Sequence, residues 1–183
     1  MIRNKSESDY IIRKLGLNRM AEGIFTQSST EEDLRRFLEE NTYEYYNIRD
    51  KTHAGGQFLY KLTADEVIAH SKDYQRYSVY ESLAEADEKL ILQGEMEIDK
   101  QFKMVASLSD IRHISNRSAM QTPKYHLQVD LAERREPHIR GLTEVINYIA
   151  KHGLFDVVVE FSLFEIPVGI YKETIIIWEL RNY

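Results

Sequence analysis

Cysteine is absent from the 183 residues of this chain. Its absence excludes disulfides, thiolate catalysis and cysteine-ligated metal sites, and it fits a reducing compartment. Only 3 prolines and 8 glycines are present. Because these two residues interrupt regular structure, their scarcity predicts few long loops and a dense arrangement of helices and strands.

Long apolar runs are also missing. No stretch approaches the roughly 18 residues that a membrane-spanning helix needs. The first ten residues, MIRNKSESDY, lack the apolar core of a secretory signal peptide. We therefore expect a soluble cytoplasmic protein without a membrane partner.

Basic residues are too few for a protein that binds nucleic acid mainly through its phosphates. There are 24 lysines and arginines against 30 aspartates and glutamates, which gives a net charge of −6. Phosphate neutralisation requires a basic surface, so nucleic acid is a disfavoured partner. The length predicts a single domain over residues 1–183. Within it we expect two small lobes, at about 1–110 and 111–183.

Helix and strand patterns are interleaved along the chain. The segment 110–140 is polar and basic in places, and we expect it to be irregular. Strands that are grouped together, with helices between the groups, predict an α+β fold with a mainly antiparallel sheet and flanking helices. The sequence predicts helices at 6–15, from Thr30 onwards, at 64–71 and from Leu142 to a stop at Gly153, and strands at 43–49, 58–62, 74–80, 90–98, 102–108, 156–164 and 174–180.

Charged residues inside two apolar strands are the strongest chemical signal. Glu160 stands in DVVVEFSLF, and Glu179 and Arg181 stand in IIIWELRNY. A carboxylate is costly to bury unless it is paired, hydrogen-bonded or bound to a metal. Two neighbouring strands that each present one glutamate can hold Mg²⁺, and the fork of Arg181 suits a phosphate. The alternative is a glutamate–arginine salt bridge at a sheet edge.

Two further polar patterns each have a functional and a structural interpretation. Arg49 and Lys51 precede the pair Gly55-Gly56, whose backbone N–H groups can approach an anion closely. The alternative is a hairpin turn with exposed charges. Gln93, Glu95 and Glu97 alternate with apolar residues in the strand 90–98, where this polar face can contact the edge or the ribose of a nucleotide. The alternative is the solvent side of a half-exposed strand.

Several other chemistries find no support in the sequence. None of the six histidines has the close spacing that is typical of a zinc site. No G-x-S-x-G nucleophile elbow occurs. The segment 49–57 is not a Walker A loop, because the G-x-x-x-x-G-K-[ST] spacing is missing.

Taken in order, these pieces resemble a shortened, stand-alone form of the ATP-grasp nucleotide-binding domain of pyruvate phosphate dikinase and phosphoenolpyruvate synthase. That family has a lysine before a helix, a G-L-x-V-P-x-G-F stretch, a strand ending in R-S-S, an A-G-Q turn, a V-Q-x-M strand, and closing D-I-E-W and Q-x-R-P strands. The chain departs from this pattern at Asp50 and Lys51, at Glu179 and at Asn182, where the family has serines, glutamine and proline. The corresponding pieces here are Lys5, Leu15-Gly16-Leu17-Asn18, Glu22-Gly23-Ile24-Phe25, Tyr46-Asn47-Ile48-Arg49, Ala54-Gly55-Gly56-Gln57, Leu92-Gln93-Gly94-Glu95-Met96, Val158-Val159-Glu160-Phe161 and Trp178-Glu179-Leu180-Arg181.

The resemblance implies an ATP-grasp-like α+β fold that binds ATP and Mg²⁺. It implies that Arg49 and Arg181 contact the phosphates as the catalytic residues, together with Lys5, and that Glu160 and Glu179 hold the metal ion. It also places Gln93 near the nucleotide. Joined with the polar patterns above, the expected nucleotide-binding set is Lys5, Arg49, Lys51, Gln93, Glu95 and Arg181.

Three functions are compatible with these residues. The first is an ATP-dependent enzyme, either a kinase-like phosphotransferase or a ligase. Its catalysis would consist mostly of positioning the reactants and neutralising charge. The second is a non-catalytic ATP-grasp-like module for protein contact or homo-oligomerisation. The third is metal-dependent processing of nucleic acid by the Glu160–Glu179 pair. The expected partners are accordingly a nucleotide and an unidentified acceptor or partner protein.

Overall fold

The computed structural model divides the chain into two compact units. It describes residues 2, 5–52, 57–82, 90–110, 123–133, 137–165 and 175–182. The major unit combines residues 1–19 with residues 87–183, and the minor unit consists of residues 20–86. These boundaries do not coincide with the lobes 1–110 and 111–183 that we expected, because residues 1–19 and 87–110 belong with the C-terminal part of the chain.

The described residues of the minor unit form a four-stranded sheet with two helices. Its strands are β1 (Glu22–Thr26), β2 (Tyr46–Asp50), β3 (Phe58–Leu62) and β4 (Arg76–Glu81), in the order β1-β4-β2-β3 with every neighbouring pair antiparallel. The helices α2 (Glu31–Glu40) and α3 (Ala64–Ser71) contribute to its core. The buried residues of that core are Phe25, Leu34, Leu38, Tyr46, Ile48, Val67, Tyr77 and Val79.

Both helices of the minor unit begin with a capping box. The Thr30 hydroxyl accepts the backbone N–H of Asp33, and the Asp33 carboxylate accepts the backbone N–H of Thr30. Thr63 and Glu66 make the same reciprocal pair before α3. Each box satisfies donors that the first turn of a helix leaves without an intrahelical partner. These local signals explain why the predicted starts of both helices are confirmed.

In the described part of the major unit, a five-stranded sheet packs with two helices. Its elements are α1 (Lys5–Lys14), β5 (Leu90–Ile98), β6 (Lys103–Ser109), β7 (Tyr125–Asp130), a 3-10 turn (Leu131–Glu133), α4 (Leu142–Lys151), β8 (Val158–Phe164) and β9 (Ile175–Arg181). The strand order is β7-β6-β5-β8-β9, and all neighbouring strand pairs are antiparallel. One face of the sheet packs in a core with α4, and this core includes Leu92, Met96, Val159 and Phe161.

The N-terminal segment covers the free edge of β9. The backbone N–H of Leu180 donates to the Ser8 hydroxyl at 2.7 Å, in a fully buried hydrogen bond. The backbone N–H of Ile177 donates to the Asn18 carbonyl oxygen at 2.8 Å. An edge strand otherwise presents unpaired backbone groups that invite association with another chain. The segment from α1 to Asn18 therefore covers part of this edge.

Two strands were not expected from the sequence. β1 occupies the Glu22–Thr26 stretch, and β7 lies inside the segment 110–140 that we expected to be irregular. β7 alternates half-buried Tyr125, Leu127 and Val129 with exposed His126 and Gln128, which is the period of a half-buried strand. The expectation of irregular structure is therefore wrong for residues 125–130. Among the described residues, no helix is long and apolar enough to cross a membrane.

Candidate functional site

The site is built on the polar face of the major unit, by which we mean the side of the five-stranded sheet opposite its core. Because side chains alternate along a strand, Gln93, Glu95 and Glu97 of β5 share this face while Leu92 and Met96 point into the core. The predicted alternation of Gln93, Glu95 and Glu97 with core-facing apolar residues is confirmed, while Ile91, which we expected on the polar face, packs against the core beside a register shift. Gly94 makes the close approach of β5 to β6 possible, since a Cβ there would overlap the backbone of Ser107 and its φ is +144°.

Three glutamates form a row across three neighbouring strands of the polar face. Glu160 of β8 lies directly opposite Glu95 of β5 on one side and Glu179 of β9 on the other. Residues paired in this way have Cβ atoms about 5 Å apart, and like charges at that separation destabilise a sheet. This glutamate row, Glu95–Glu160–Glu179, therefore needs a compensating cation.

A bulge in β9 contributes to the alignment of the glutamate row. Glu179 pairs with Glu160, but the next pair along is Ile177 with Phe161, so that Trp178 is the extra residue. Its indole Nε1 donates to the Ser162 hydroxyl at 2.8 Å on the polar face. The extra residue lets Trp178 and Glu179 share that face although they are consecutive.

Arg181 supplies positive charge to the glutamate row. Its guanidinium Nη2 forms an ion pair with Glu95 Oε1, reaching across β8 from β9 to β5. The two side chains are 40% and 39% exposed. Partial burial lowers the pKa of Arg181, but the charges of Glu95, Glu160 and Glu179 outweigh it and raise the pKa above its ordinary value. The structure thus contains the glutamate–arginine salt bridge of the structural interpretation, with Glu95 as the acid.

Gln93 lies two residues along β5 from Glu95, next to the glutamate row. It is opposite Ser109 of β6 and Ser162 of β8, so a carboxamide and two hydroxyls meet beside the three carboxylates. On the other side, Glu97 is opposite Val105 and Val158. The polar groups of the face therefore concentrate around Gln93 and the glutamate row.

The glutamate row continues into two residues that sequence reasoning missed. Ser107 of β6 lies opposite Glu95, and His126 of β7 lies opposite Ser107. The Ser107 hydroxyl and His126 Nδ1 are 3.4 Å apart. The alternation of Tyr125, Leu127 and Val129 was the signal that could have identified β7 and hence the position of His126. The full row runs His126–Ser107–Glu95–Glu160–Glu179 across all five strands.

The remaining site candidates lie elsewhere in the chain. Arg49 is in β2 of the minor unit, half-buried, between Phe58 of β3 and Ser78 of β4. Lys51 follows the same strand, and its ammonium is 3.0 Å from the Glu22 carboxylate, whose side chain is 8% exposed. The structure therefore gives Lys51 a carboxylate partner within its own unit.

Lys5 begins α1 in the major unit, and its side chain is not among those described. The Ala54-Gly55-Gly56 turn also lies outside the described residues. Five basic residues of the segment 110–140 are likewise outside the described residues: Arg112, His113, Arg117, Arg134 and Arg135.

The minor unit contains one acid with an unusual environment at the end of β4. Glu81 is half-buried, and burial raises the pKa of its carboxyl group. The pKa of the nearby Tyr43 is raised to about 12, mainly because its hydroxyl is buried and in smaller part because of the negative charge of Glu81. Sequence reasoning did not single out Glu81, because one glutamate at a strand end carries no spacing signal.

The described residues contain no group of three or more histidine, aspartate or glutamate side chains placed to hold a metal ion. Two carboxylates do meet, since Glu160 and Glu179 are cross-strand neighbours. Mg²⁺ commonly takes only one or two protein carboxylates and completes its shell with water and substrate phosphates. The donor set of the glutamate row fits that mode of binding.

Comparison with known proteins identifies the fold. No family model and no curated protein matches the chain. Among solved structures, N5-carboxyaminoimidazole synthase from Aspergillus clavatus, in complex with ADP and 5-aminoimidazole ribonucleotide, matches with a TM-score of 0.54 at 16% identity, over 98% of this chain and 44% of that one. D-alanyl-alanine synthetase A from Vibrio cholerae matches with a TM-score of 0.53 at 12% identity, over 98% of this chain and 54% of that one.

A third structure, an ADP complex of N5-carboxyaminoimidazole ribonucleotide synthetase, matches with a TM-score of 0.51 at 13% identity, over 98% of this chain and 44% of that one. The chain thus spans about half the length of the structures it matches. At these identities the likeness establishes the fold alone. The chain has an ATP-grasp-like α+β fold, with two antiparallel sheets and four helices among the described residues.

Proposed function

We propose that this protein binds ATP on the polar face of the major unit and acts as an ATP-grasp enzyme of the ligase type. One observation carries the proposal: the glutamate row and Arg181 converge on one face of a sheet. The fold supports it, because the matched structures include synthetases solved with ADP. The names of these enzymes favour a ligase over the kinase-like transferase that we also considered. The acceptor that the enzyme would activate is unidentified.

The glutamate row is the proposed binding place for Mg²⁺. Glu160 and Glu179 would hold the ion, and Glu95 stays paired with Arg181. When bound, the ion would neutralise charge on the phosphate oxygens. Two carboxylates leave most coordination positions to phosphate and water, as Mg²⁺ requires.

Arg181 is the proposed phosphate-binding and catalytic residue of this face. Its guanidinium is already extended over β8 by the ion pair with Glu95. A planar fork of N–H donors binds phosphate as readily as carboxylate. Phosphate binding therefore requires Arg181 to exchange or share its carboxylate partner, while Glu95 limits how far the side chain can move.

The other expected nucleotide contacts extend this proposal. Gln93 lies on the same face, one row from the carboxylates, where its amide can hydrogen-bond a nucleotide. The roles of Arg49 as a second catalytic cation and of Lys51 and Lys5 as further phosphate ligands stay predictions from the resemblance. Lys51 would have to leave Glu22 for that role.

Several narrower expectations remain predictions. They are the dikinase-like subtype of the ATP-grasp fold, the identity of the metal as magnesium, a cytoplasmic location and homo-oligomerisation.

Thermal unfolding with nucleotides tests the proposal. Because a ligand that binds the native state stabilises it by mass action, ATP with Mg²⁺ at a hundred times its Kd should contribute about 2.7 kcal/mol. We expect a rise in Tm with ATP and Mg²⁺ that is lost in Glu160→Gln. The matched control is Glu97→Gln, because Glu97 is on the same face but lies between two valines, and it should keep the shift. An equal shift in wild type and Glu160→Gln, or none with any nucleotide, would contradict the proposal.

A further inference from the structure

The far end of the polar row presents a second kind of chemistry. Ser107 and His126 occupy β6 and β7, on the opposite side of Glu95 from Glu160. Ser107 is half-buried and His126 is exposed. Neighbouring strands are about 4.8 Å apart, so Ser107 lies about 10 Å from Glu160. That separation is enough for a second bound group beside the one that the carboxylates hold.

The sign of the charge changes along the row. Among the described residues of the polar face, the glutamates are all on β5, β8 and β9. The residues that β6 and β7 present near the row are hydrogen-bond donors without negative charge: Ser107, Ser109, His126 and Gln128. Their one acid on this face, Asp130, is opposite Lys103 and four residues along the strand from His126. An anion therefore meets less repulsion at Ser107 and His126 than anywhere over the glutamate row.

The contact between Ser107 and His126 leaves a donor available in every protonation state. If the Ser107 hydroxyl donates to Nδ1, the neutral ring carries its proton on Nε2, which becomes a donor. If Nδ1–H donates to Ser107, the hydroxyl hydrogen can turn to a ligand. In the imidazolium form, the hydroxyl and Nε2–H can both donate. Each neutral form thus leaves one donor for a ligand, and the imidazolium form leaves two, which suit the two oxygens of a carboxylate or phosphate.

We propose that Ser107 and His126 bind an oxyanion, carboxylate or phosphate, of the second substrate. This assignment rests on the proposed function, which places ATP over the glutamate row on the same face. The row then orders the two reactants across the sheet, with the metal-bound phosphates over β8 and β9 and the acceptor anion over β6 and β7. Glu95, held by Arg181, separates them.

NMR of the histidine ring protons tests this site without nucleotide. The wild-type protein is titrated with sodium phosphate, sodium acetate and sodium chloride at fixed pH and ionic strength, and the His126 signal is identified by its loss in His126→Gln. We expect a saturable shift with phosphate or acetate and none with chloride. Saturation by phosphate alone indicates a phosphate acceptor, and saturation by acetate indicates a carboxylate acceptor.

Variants distinguish binding from a structural contact between two strands. Ser107→Ala should raise the half-saturating concentration at least fivefold, while Ser107→Thr keeps the hydroxyl and should restore it. Gln128→Ala, two residues along β7 on the same face, should stay within twofold of wild type. The assignment would be overturned if phosphate and acetate shifted the His126 signal no more than chloride does. It would also be overturned if the half-saturating concentration were unchanged in Ser107→Ala. Since these titrations contain no ATP, their result is independent of the Tm shift that tests the proposed function.

Discussion

Removing Arg181 should destabilise the major unit more than removing its partner Glu95. Arg181→Gln removes a charge that is attracted to all three carboxylates of the row, whereas Glu95→Gln leaves Arg181 beside Glu160 and Glu179. The asymmetry follows from the row itself. An isolated ion pair would predict similar costs for its two halves.

The magnitude can be worked from the strand register. Two unit charges about 5 Å apart interact by about 0.8 kcal/mol at the dielectric constant of water and about 3 kcal/mol at an effective constant of 20. The side chains of Arg181 and Glu95 are 40% and 39% exposed, so the lower value applies more closely. Arg181→Gln loses the attraction of the guanidinium to Glu95, Glu160 and Glu179, which at this dielectric amounts to about 1–2 kcal/mol. For Glu95→Gln we expect a loss of about 0.5 kcal/mol or less. The variant loses the ion pair with Arg181, but it also loses the repulsion between Glu95 and Glu160.

Urea unfolding at low salt measures both costs. Trp178 is the only tryptophan and lies in the same sheet, so its fluorescence reports the major unit. In 1 M NaCl the Debye length is about 3 Å, and the difference between the two variants should fall by at least half. A cost of Glu95→Gln equal to or above that of Arg181→Gln, or a difference that salt does not change, would refute the reasoning.

Three further predictions concern stability. Gly94→Ala should cost about 3 kcal/mol or more in urea unfolding, because the new Cβ would overlap the backbone of β6 at a positive φ; a cost below 1 kcal/mol would contradict the close approach. Thr63→Ala should lose about 1 kcal/mol at pH 7, measured by circular dichroism. The backbone N–H and the hydroxyl of Thr63 both donate to the Glu66 carboxylate and lower its pKa below the ordinary value of 4.5. The alanine variant loses only the hydroxyl, so the part of the cost that comes from this bond is present above 4.5 and is lost as pH falls, while the bond that the hydroxyl accepts from the Glu66 N–H keeps its part. A cost at pH 3 equal to that at pH 7 would contradict this division. Glu81→Gln should raise Tm at pH 7 and leave it unchanged at pH 4. Burial raises the folded pKa of Glu81, so stability falls as pH rises through the interval above 4.5, and an equal effect at both pH values would contradict that assignment.

Local signals account for the parts of the fold that could be predicted from the sequence. The threonines at 30 and 63 with an acid three residues on define the starts of α2 and α3. The alternation in Leu90–Ile98 assigns Gln93 and Glu95 to the polar face, because a strand has a period of two residues. The β8–β9 pairing was expected from two adjacent apolar runs, and the register places Glu160 opposite Glu179.

Long-range pairing accounts for what could not be predicted. Glu95 meets Glu160 and Arg181 only because β5 pairs with β8, and no local pattern specifies that neighbour. The bulge at Trp178 also left no signal, since it is an ordinary residue in an apolar run. β7 was missed because its alternation covers only six residues inside a polar and basic segment. The contact between Ser107 and His126 depends on that strand.

Equilibrium binding of ATP tests the central claim, that the glutamate row and Arg181 form a metal-dependent nucleotide site. Calorimetric titration of ATP would be run with Mg²⁺ and with EDTA, on wild type, Glu160→Gln, Glu179→Gln and the control Glu97→Gln. We predict binding that requires Mg²⁺, is weakened at least tenfold in either row variant, and is unchanged in the control. Binding of equal strength in all four proteins, or no binding to wild type, would contradict the claim.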